Sequence, residues 1–228
     1  MQFPLRLAAA LYKAKAMHLL GGGASSNLIA HTAPGDATLV AQTAAPIVWI
    51  GGGEPPLHSE IGGIVTKHAE AKRFVFLHTS GYNLRQRIHA LQPGPRLFLA
   101  LEFVGTEAAH NRADGRADAF ARSMEGIRTA KLSGFLVAAH FTVTEQTDSC
   151  DLGELIEFLD KNDVDGFIAT SRGQSARTGG ESLAAVLDDV RTMIRSSQWE
   201  EFSRLLEESF ANRKPIRAGS ENAFEEGD

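Results

Sequence analysis

Cysteine is nearly absent from this sequence: its 228 residues contain one, Cys150. A single cysteine cannot form an internal disulfide and can give at most one thiolate to a metal centre, which is consistent with a reducing cytoplasm. The sequence also lacks an excess of positive charge, with a formal net charge of -5. We therefore expect a cytoplasmic protein that has no nucleic-acid partner.

Long uninterrupted apolar runs are also missing, so no segment is long enough to cross a bilayer as a helix. Residues 1–23 are predicted to form an N-terminal amphipathic helix and a glycine-rich link. Basic residues interrupt the apolar ones in this helix, which separates it from a signal peptide. Packing on the protein's own core is the favoured interpretation, and contact of residues 5–20 with a membrane surface is the alternative.

Apolar runs and helical patterns alternate through the rest of the chain. The predicted strands are Ile47–Ile50, Arg73–His78, Arg96–Val104, Phe135–Val143 and Gly166–Thr170. The predicted helices are Leu57–Glu70, Tyr82–Leu91, Ala117–Leu132 and Leu152–Lys161, with two surface helices at Glu181–Ser196 and Gln198–Ala211. This alternation predicts an α/β fold in which helices cover a parallel sheet, as an open doubly wound sheet or a partial barrel.

Three regions are predicted along the chain. The N-terminal helix and link, residues 1–23, precede an α/β core with C-terminal helices at residues 24–212. Residues 213–228 are expected to be a disordered tail, because they are rich in acidic and small residues. Within the core, the serine- and glycine-rich segment at 171–180 is expected to be a mobile loop.

A glycine-rich motif follows the first of the predicted central strands. Gly51, Gly52 and Gly53 allow close approach of a ligand to the backbone and torsions that other residues avoid. Glu54 then supplies a fixed anion, and Pro55 sets the direction of the turn. The phosphate-binding spacings of P-loop and dinucleotide-binding proteins are absent. Without further matches, a flexible strand exit with a solvated glutamate would be the favoured interpretation of this motif.

Further matches do occur, in the same order along the chain as in one known family. From about residue 34 to residue 173 the sequence resembles radical S-adenosylmethionine (SAM) enzymes of the hopanoid-biosynthesis type. The matching segments are Gly52-Gly53-Glu54-Pro55, Thr79-Ser80, Gly105, His110-Asn111, Gly134-Phe135, Thr147-Asp148 and Val164–Phe167. The resemblance implies a partial (β/α)6 TIM-like barrel with a shortened or missing first β-α unit and extra C-terminal helices.

The resemblance also implies a cofactor and a site. It suggests SAM as a cofactor, with the ammonium group of its methionine held near Glu54. The implied cofactor-binding residues are Gly52, Gly53, Glu54, Pro55, Thr79, Ser80, Glu102 and His140. No catalytic residue is assigned.

The sequence departs from the family where the radical chemistry begins. Family members hold a [4Fe-4S] cluster through three thiolates of a Cys-x3-Cys-x2-Cys loop, which precedes the glycine motif. Here Asn27–His31 is predicted to be a remnant first strand, and Thr32–Asp36 follows almost directly as the start of a helix. The cluster loop is therefore interpreted as deleted. Cys150 is interpreted as a small residue that precedes a helix.

Smaller departures occur at other positions of the pattern. The family has aspartate where this chain has Val104 and Asn111, asparagine at Ser80 and His140, and an aliphatic residue at Pro56. These changes weaken the expectation of an intact SAM pocket and of a hopanoid substrate. The leading interpretation is therefore a degenerate radical-SAM-like protein without radical catalysis that retains a weak SAM or small-molecule pocket.

Several alternatives stay open. One is a radical SAM enzyme whose cluster is ligated atypically or by a partner, and another is a defective, truncated gene product. A zinc or non-haem iron site built from His31, His78 and His140 with Glu54 or Glu102 is a weaker option, because the histidines lack short-range ligand spacing. We expect no metal ligands. The partners considered are another copy of this chain, in a homo-oligomer, and a complete radical SAM protein. Self-association is considered because loss of the first strand would leave the second strand as an exposed edge.

Overall fold

The structure is a computed structural model, and it describes residues 3–19, 28–36, 45–144, 146–172 and 182–211. The predicted link at 20–23, most of the predicted mobile loop (173–180) and the predicted tail at 213–228 lie outside these residues. The helices are α1 (Leu5–Leu19), α2 (Ile61–Glu70), α3 (Leu84–Arg87), α4 (Glu107–Asp114), α5 (Ala119–Leu132), α6 (Ser149–Asp160), α7 (Leu183–Met193) and α8 (Ser197–Ala211). The strands are β1 (Ile29–Thr32), β2 (Ile47–Ile50), β3 (Phe74–Thr79), β4 (Leu97–Phe103), β5 (Leu136–Val143) and β6 (Gly166–Ser171).

The six strands form one parallel sheet in the order β1-β2-β3-β4-β5-β6. The sheet curls into a half-barrel, and helices connect the strands. Nearly all strand residues are buried, because both faces of a parallel sheet are covered. The predicted partial barrel is therefore confirmed, and the five predicted central strands agree with β2 to β6 to within one residue at each end.

The first strand is short but present. Its residues pair with β2 in parallel register, from Ile29 opposite Ile47 to Thr32 opposite Ile50. A 3-10 turn, Pro34–Asp36, follows it among the described residues. The remnant first strand predicted at Asn27–His31 is present as β1, and β2 is not an exposed edge because β1 pairs along it.

The last helix, α8, lies against the concave face of the sheet. Trp199, Phe202 and Leu206 are fully buried, and the ring of Phe202 stacks on that of Phe76 at 4.8 Å. Gly166 makes this packing feasible, since a Cβ atom there would lie 2.1 Å from the Trp199 ring. The prediction of a surface helix at Gln198–Ala211 is therefore wrong. Its aromatic residues fill the interior of the half-barrel.

The same helix also satisfies polar groups on the outer edge of β6. The Ala169 amide donates to Ser203 Oγ at 3.1 Å, and the Ser171 amide donates to the Glu207 carboxylate at 2.9 Å. On the other side, His31 Nε2 of β1 lies 2.7 Å from Ser209 Oγ. Helix α8 thus bridges the two outer strands and covers an edge that would otherwise be free to pair with another chain.

Helix α1 packs on the protein's own core, as the favoured interpretation expected. Phe3, Leu7 and Leu11 are buried, and the Phe3 ring meets the Trp199 ring edge-on at 4.8 Å. Among the described residues, no helix is long and apolar enough to span a membrane.

Candidate functional site

Two groups of polar side chains lie at the carboxyl ends of the strands, where active sites of barrel folds are built. The first is a strand-exit cluster formed by Glu54, Thr79 and Ser80. Thr79 Oγ1 donates to one carboxylate oxygen of Glu54, and the Ser80 amide and hydroxyl donate to the other at 3.0 and 2.7 Å. These three donors fix the carboxylate between the exits of β2 and β3.

The glycines before Glu54 give the chain the turn that this arrangement needs. Gly52 and Gly53 have φ values of 89° and 63°, in the left-handed region that glycine tolerates best. Pro55 opens a 3-10 turn, and Pro55 and Pro56 are both buried. The Pro56 carbonyl accepts a hydrogen bond from Arg87 Nε at 3.0 Å. The motif therefore forms a rigid corner rather than a loose strand exit.

The second group surrounds a cavity of about 230 Å³ between the strand ends and α8. Trp49, His78 and His140 form its aromatic wall, with ring centroids 5.2 to 5.5 Å apart. The other lining residues are His31, Thr32, Gly51, Gly52, Thr142, Thr170, Ser171, Arg172 and Phe210. The cavity thus has a mixed lining of hydroxyls, imidazoles, one guanidinium and two large aromatic rings.

The charges beside this cavity balance one another. Glu102 accepts hydrogen bonds from Thr142 Oγ1 and Arg172 Nη2, both at 2.7 Å. His78 Nε2 lies 3.7 Å from the Glu102 carboxylate. The one carboxylate is therefore held by one guanidinium and one hydroxyl, with an imidazole nearby.

Burial keeps both imidazoles of the wall neutral. Desolvation lowers the pKa of His78, although the charges of Glu102 and Glu54 oppose this shift. The pKa of His140 lies well below its usual value, first because of desolvation and then because of His78 and Arg172. His140 Nε2 lies 2.7 Å from Thr170 Oγ1, while its buried Nδ1 has no hydrogen-bond partner. This nitrogen is therefore a buried polar atom without a partner beside the cavity.

The cofactor-binding residues that the sequence suggested fall into two separate groups in the structure. Glu54, Thr79 and Ser80 are hydrogen-bonded together, while Gly52 and His140 line the cavity. Glu102 lies beside the cavity, where it contacts three of the lining residues, Thr142, Arg172 and His78. His78 adjoins both groups, since it precedes Thr79 on β3 and faces Glu102.

The paired residues after β4 have structural contacts. Buried His110 accepts from the Val104 amide at 3.4 Å and lies 3.3 Å from Ser123 Oγ. Asn111 bonds the Ala117 carbonyl and the Phe120 amide, which joins α4 to α5. His110 and Asn111 therefore hold α4 and α5 in place.

With this geometry in view, comparisons with known proteins identify the family. The sequence profile of the radical SAM superfamily matches residues 37–159, more than half of the chain. The chain belongs to the radical SAM superfamily. Pre-heme d1 synthase of Dinoroseobacter shibae is a relative, 25% identical over 148 residues, which are 64% of this chain and 36% of the relative.

Solved structures show the same fold. SuiB of Streptococcus suis gives a TM-score of 0.52 at 18% identity, covering 70% of this chain and 40% of SuiB. The structure of SuiB bound to S-adenosylmethionine gives a TM-score of 0.50 at 18% identity, covering 62% of this chain and 33% of SuiB. The chain spans well under half of the length of these relatives.

The family implies a [4Fe-4S] cluster, and the residues of this chain do not fit one. The connection from β1 to β2, residues 33–46, contains no cysteine. Cys150 is exposed at the start of α6, where its amide donates to Asp148 Oδ1 at 2.8 Å. Within the described ranges, no group of three or more histidine, cysteine, aspartate or glutamate side chains is arranged to hold a metal ion.

Several cavity residues were missed by the sequence analysis. Trp49 and Thr142 lie on strands that were predicted, and their alternation with residues of the opposite face could have placed them on the inner face. Arg172 and Phe210 could not have been found this way. They reach the cavity only because β6 and α8 meet across it.

Proposed function

We propose that this chain is a degenerate radical SAM domain that binds a small molecule and does not perform radical chemistry with cysteines of its own. The observation that carries the proposal is a cavity of mixed polar and aromatic lining at the strand ends, beside a connection that lacks every cluster cysteine. A radical SAM enzyme needs three thiolates to place a cluster beside the cofactor. Cys150 alone cannot supply them.

The cavity supports a ligand of limited size. Its volume of about 230 Å³ is smaller than the roughly 300 to 1,000 Å³ of sites that enclose drug-sized ligands. Trp199 and Phe202 of α8 occupy the interior below it. A molecule as large as SAM would therefore be only partly enclosed, which agrees with weak binding.

SAM remains the first ligand to test, because the corner at Gly52 and Gly53 is retained and Glu54 is fixed beside it. The Glu54 carboxylate accepts three hydrogen bonds, and a carboxylate has about four lone-pair sites. One direction thus remains for an ammonium group. If this part of SAM is bound, the Glu54 side chain is the group that would hold it.

Isothermal titration calorimetry with SAM, S-adenosylhomocysteine and adenosine tests the pocket. We expect weak binding of SAM that Trp49→Ala and Glu54→Gln both reduce, while Glu60→Gln, which changes an exposed carboxylate, leaves it unchanged. Absence of heat and of thermal protection at millimolar SAM would refute the SAM part of the proposal.

The second candidate is a radical SAM enzyme whose cluster is ligated atypically or by a partner, such as a complete radical SAM protein or another copy of this chain. Family membership favours it, since the relatives are named as enzymes or were solved with SAM. The hopanoid type stays a prediction, because the relatives given above are of other types. A defective gene product would show no stable fold and no ligand when purified.

A further inference from the structure

Helix α1 presents a second apolar face that the protein's own core leaves uncovered. Leu5 and Tyr12 are 81% and 71% exposed, and Ala9 and Ala16 between and beyond them are exposed as well. The spacing of these four residues places them on one narrow stripe of the helix. Leu7 and Leu11 are buried on the opposite side. The outer stripe is therefore not needed to attach α1 to the core.

The apolar surface continues beyond α1. Leu5 and Arg6 line a groove together with Pro93, Pro95 and Gly134, at the amino-terminal ends of the strands. Leu132, two residues before Gly134, is 84% exposed. This outer α1 face, defined as Leu5, Ala9, Tyr12 and Ala16, lies on the side of the barrel away from the cavity.

The charge beside the face indicates what covers it. Arg6 and Lys13 are exposed on one flank of the stripe, and α1 contains no acidic residue. No aspartate or glutamate occurs before Asp36, although the whole chain has 28 of them and a net charge of -5. The segment is thus locally cationic in an acidic protein. An apolar stripe with a cationic flank is typical of helices that lie on anionic lipid surfaces.

We infer that α1 binds the surface of an anionic membrane, lying in its plane with Leu5 and Tyr12 inserted and Arg6 and Lys13 at the phosphates. A second copy of the chain fits this face less well. Two symmetry-related copies of α1 would bring like charges together, with no acidic residue on the helix to neutralise them. Since only two large side chains insert, the adsorption is weak and reversible. It does not depend on the function proposed for the cavity.

Vesicle flotation tests the inference with the full chain. We expect binding to vesicles of equal parts phosphatidylcholine and phosphatidylglycerol at low salt, and loss of binding at high salt or with phosphatidylcholine alone. The double variants Leu5→Ser/Tyr12→Ser and Arg6→Glu/Lys13→Glu are each expected to reduce partitioning at least about tenfold. Phe158→Ser/Lys161→Glu, at the end of α6 and directly after it, is the matched control and should bind as the wild type does.

Circular dichroism and urea melts serve as folding controls. We expect all variants to fold, because the substituted side chains are exposed. Absence of wild-type binding to anionic vesicles would overturn the inference, and so would equal binding by both double variants. Sedimentation equilibrium measures whether the chain dimerises, and one result would contradict the inference. A dimer that Leu5→Ser/Tyr12→Ser dissociates would assign the outer α1 face to a second copy of the chain.

Discussion

At the scale of single residues, Glu54 joins two strand exits. Its carboxylate receives hydrogen bonds from Thr79 and from both the amide and the hydroxyl of Ser80. The sequence predicted that Glu54 would be a fixed anion, and the structure shows the groups that fix it. Sequence reasoning placed Thr79 and Ser80 in the same site through the family resemblance, but the hydrogen bonds themselves depend on how β2 and β3 end.

Replacement of Glu54 by glutamine should lower the free energy of unfolding by about 1 to 3 kcal/mol. The amide group of glutamine offers one acceptor oxygen, so at least one of the three donors loses a charge-assisted bond. Urea denaturation measures the change, with Glu60→Gln as the control for an exposed glutamate. Equal stability of Glu54→Gln and wild type would show that the cluster does not hold the corner.

His140 makes the stability of the fold depend on pH. It is 4% exposed, and burial lowers its pKa well below 6.5, as it also lowers the pKa of neighbouring His78. Below about pH 6.5 the unfolded chain therefore binds protons that the native chain excludes. The stability contributed by the neutral histidines is present above that pH and is lost as the pH falls.

We expect His140→Asn to have a shallower loss of stability than wild type between about pH 7 and pH 5, because one of the excluded protons is removed. Urea melts across this range measure the slope. Some slope should remain, since the pKa values of His68, His78 and His110 are also lowered by burial. His89→Asn, at an exposed position, should keep the wild-type slope, and an unchanged slope in His140→Asn would contradict the assignment.

At the scale of elements, α8 determines how much room the half-barrel has. Its period and length were predictable, because the apolar residues of Ser197–Ala211 recur at helical spacing. The position of α8 was not predictable, because the same amphipathic pattern fits a helix on the outside or on the inside of a curled sheet. Gly166 was the one local signal, because a glycine inside a strand often marks the close approach of another group.

The contact between Trp199 and Gly166 can be tested by a double-mutant cycle. Trp199→Ala should cost about 3 to 5 kcal/mol of stability through loss of a fully buried ring. Gly166→Ala should destabilise the wild type, because its Cβ would overlap the ring, and should be nearly neutral in the Trp199→Ala background. Urea melts of the four proteins give the coupling, with Phe158→Ala as the exposed aromatic control. If the effects of the two substitutions on stability were additive, Trp199 and Gly166 would not be in contact, and α8 would lie elsewhere.

At the scale of the whole molecule, we propose a separation: the chain keeps the fold of the family without its radical chemistry. The parallel half-barrel follows from short apolar strands that alternate with helices, so the sequence predicted it well. The cavity follows from contacts between distant segments, such as His31 with Ser209 and Glu102 with Arg172, which no local pattern encodes. Retention of the glycine corner supports common ancestry, whereas the β1–β2 connection contains none of the cysteines that the family's cluster needs.

Anaerobic reconstitution with iron and sulfide, followed by absorbance and electron paramagnetic resonance, tests this separation most directly. We predict that the purified chain gains no [4Fe-4S] signal and forms no 5'-deoxyadenosine from SAM under reducing conditions, because its one cysteine is exposed and distant in sequence from the β1–β2 connection. Cys150→Ser should behave identically. A cluster signal together with SAM-dependent formation of 5'-deoxyadenosine by the wild-type chain would contradict the account.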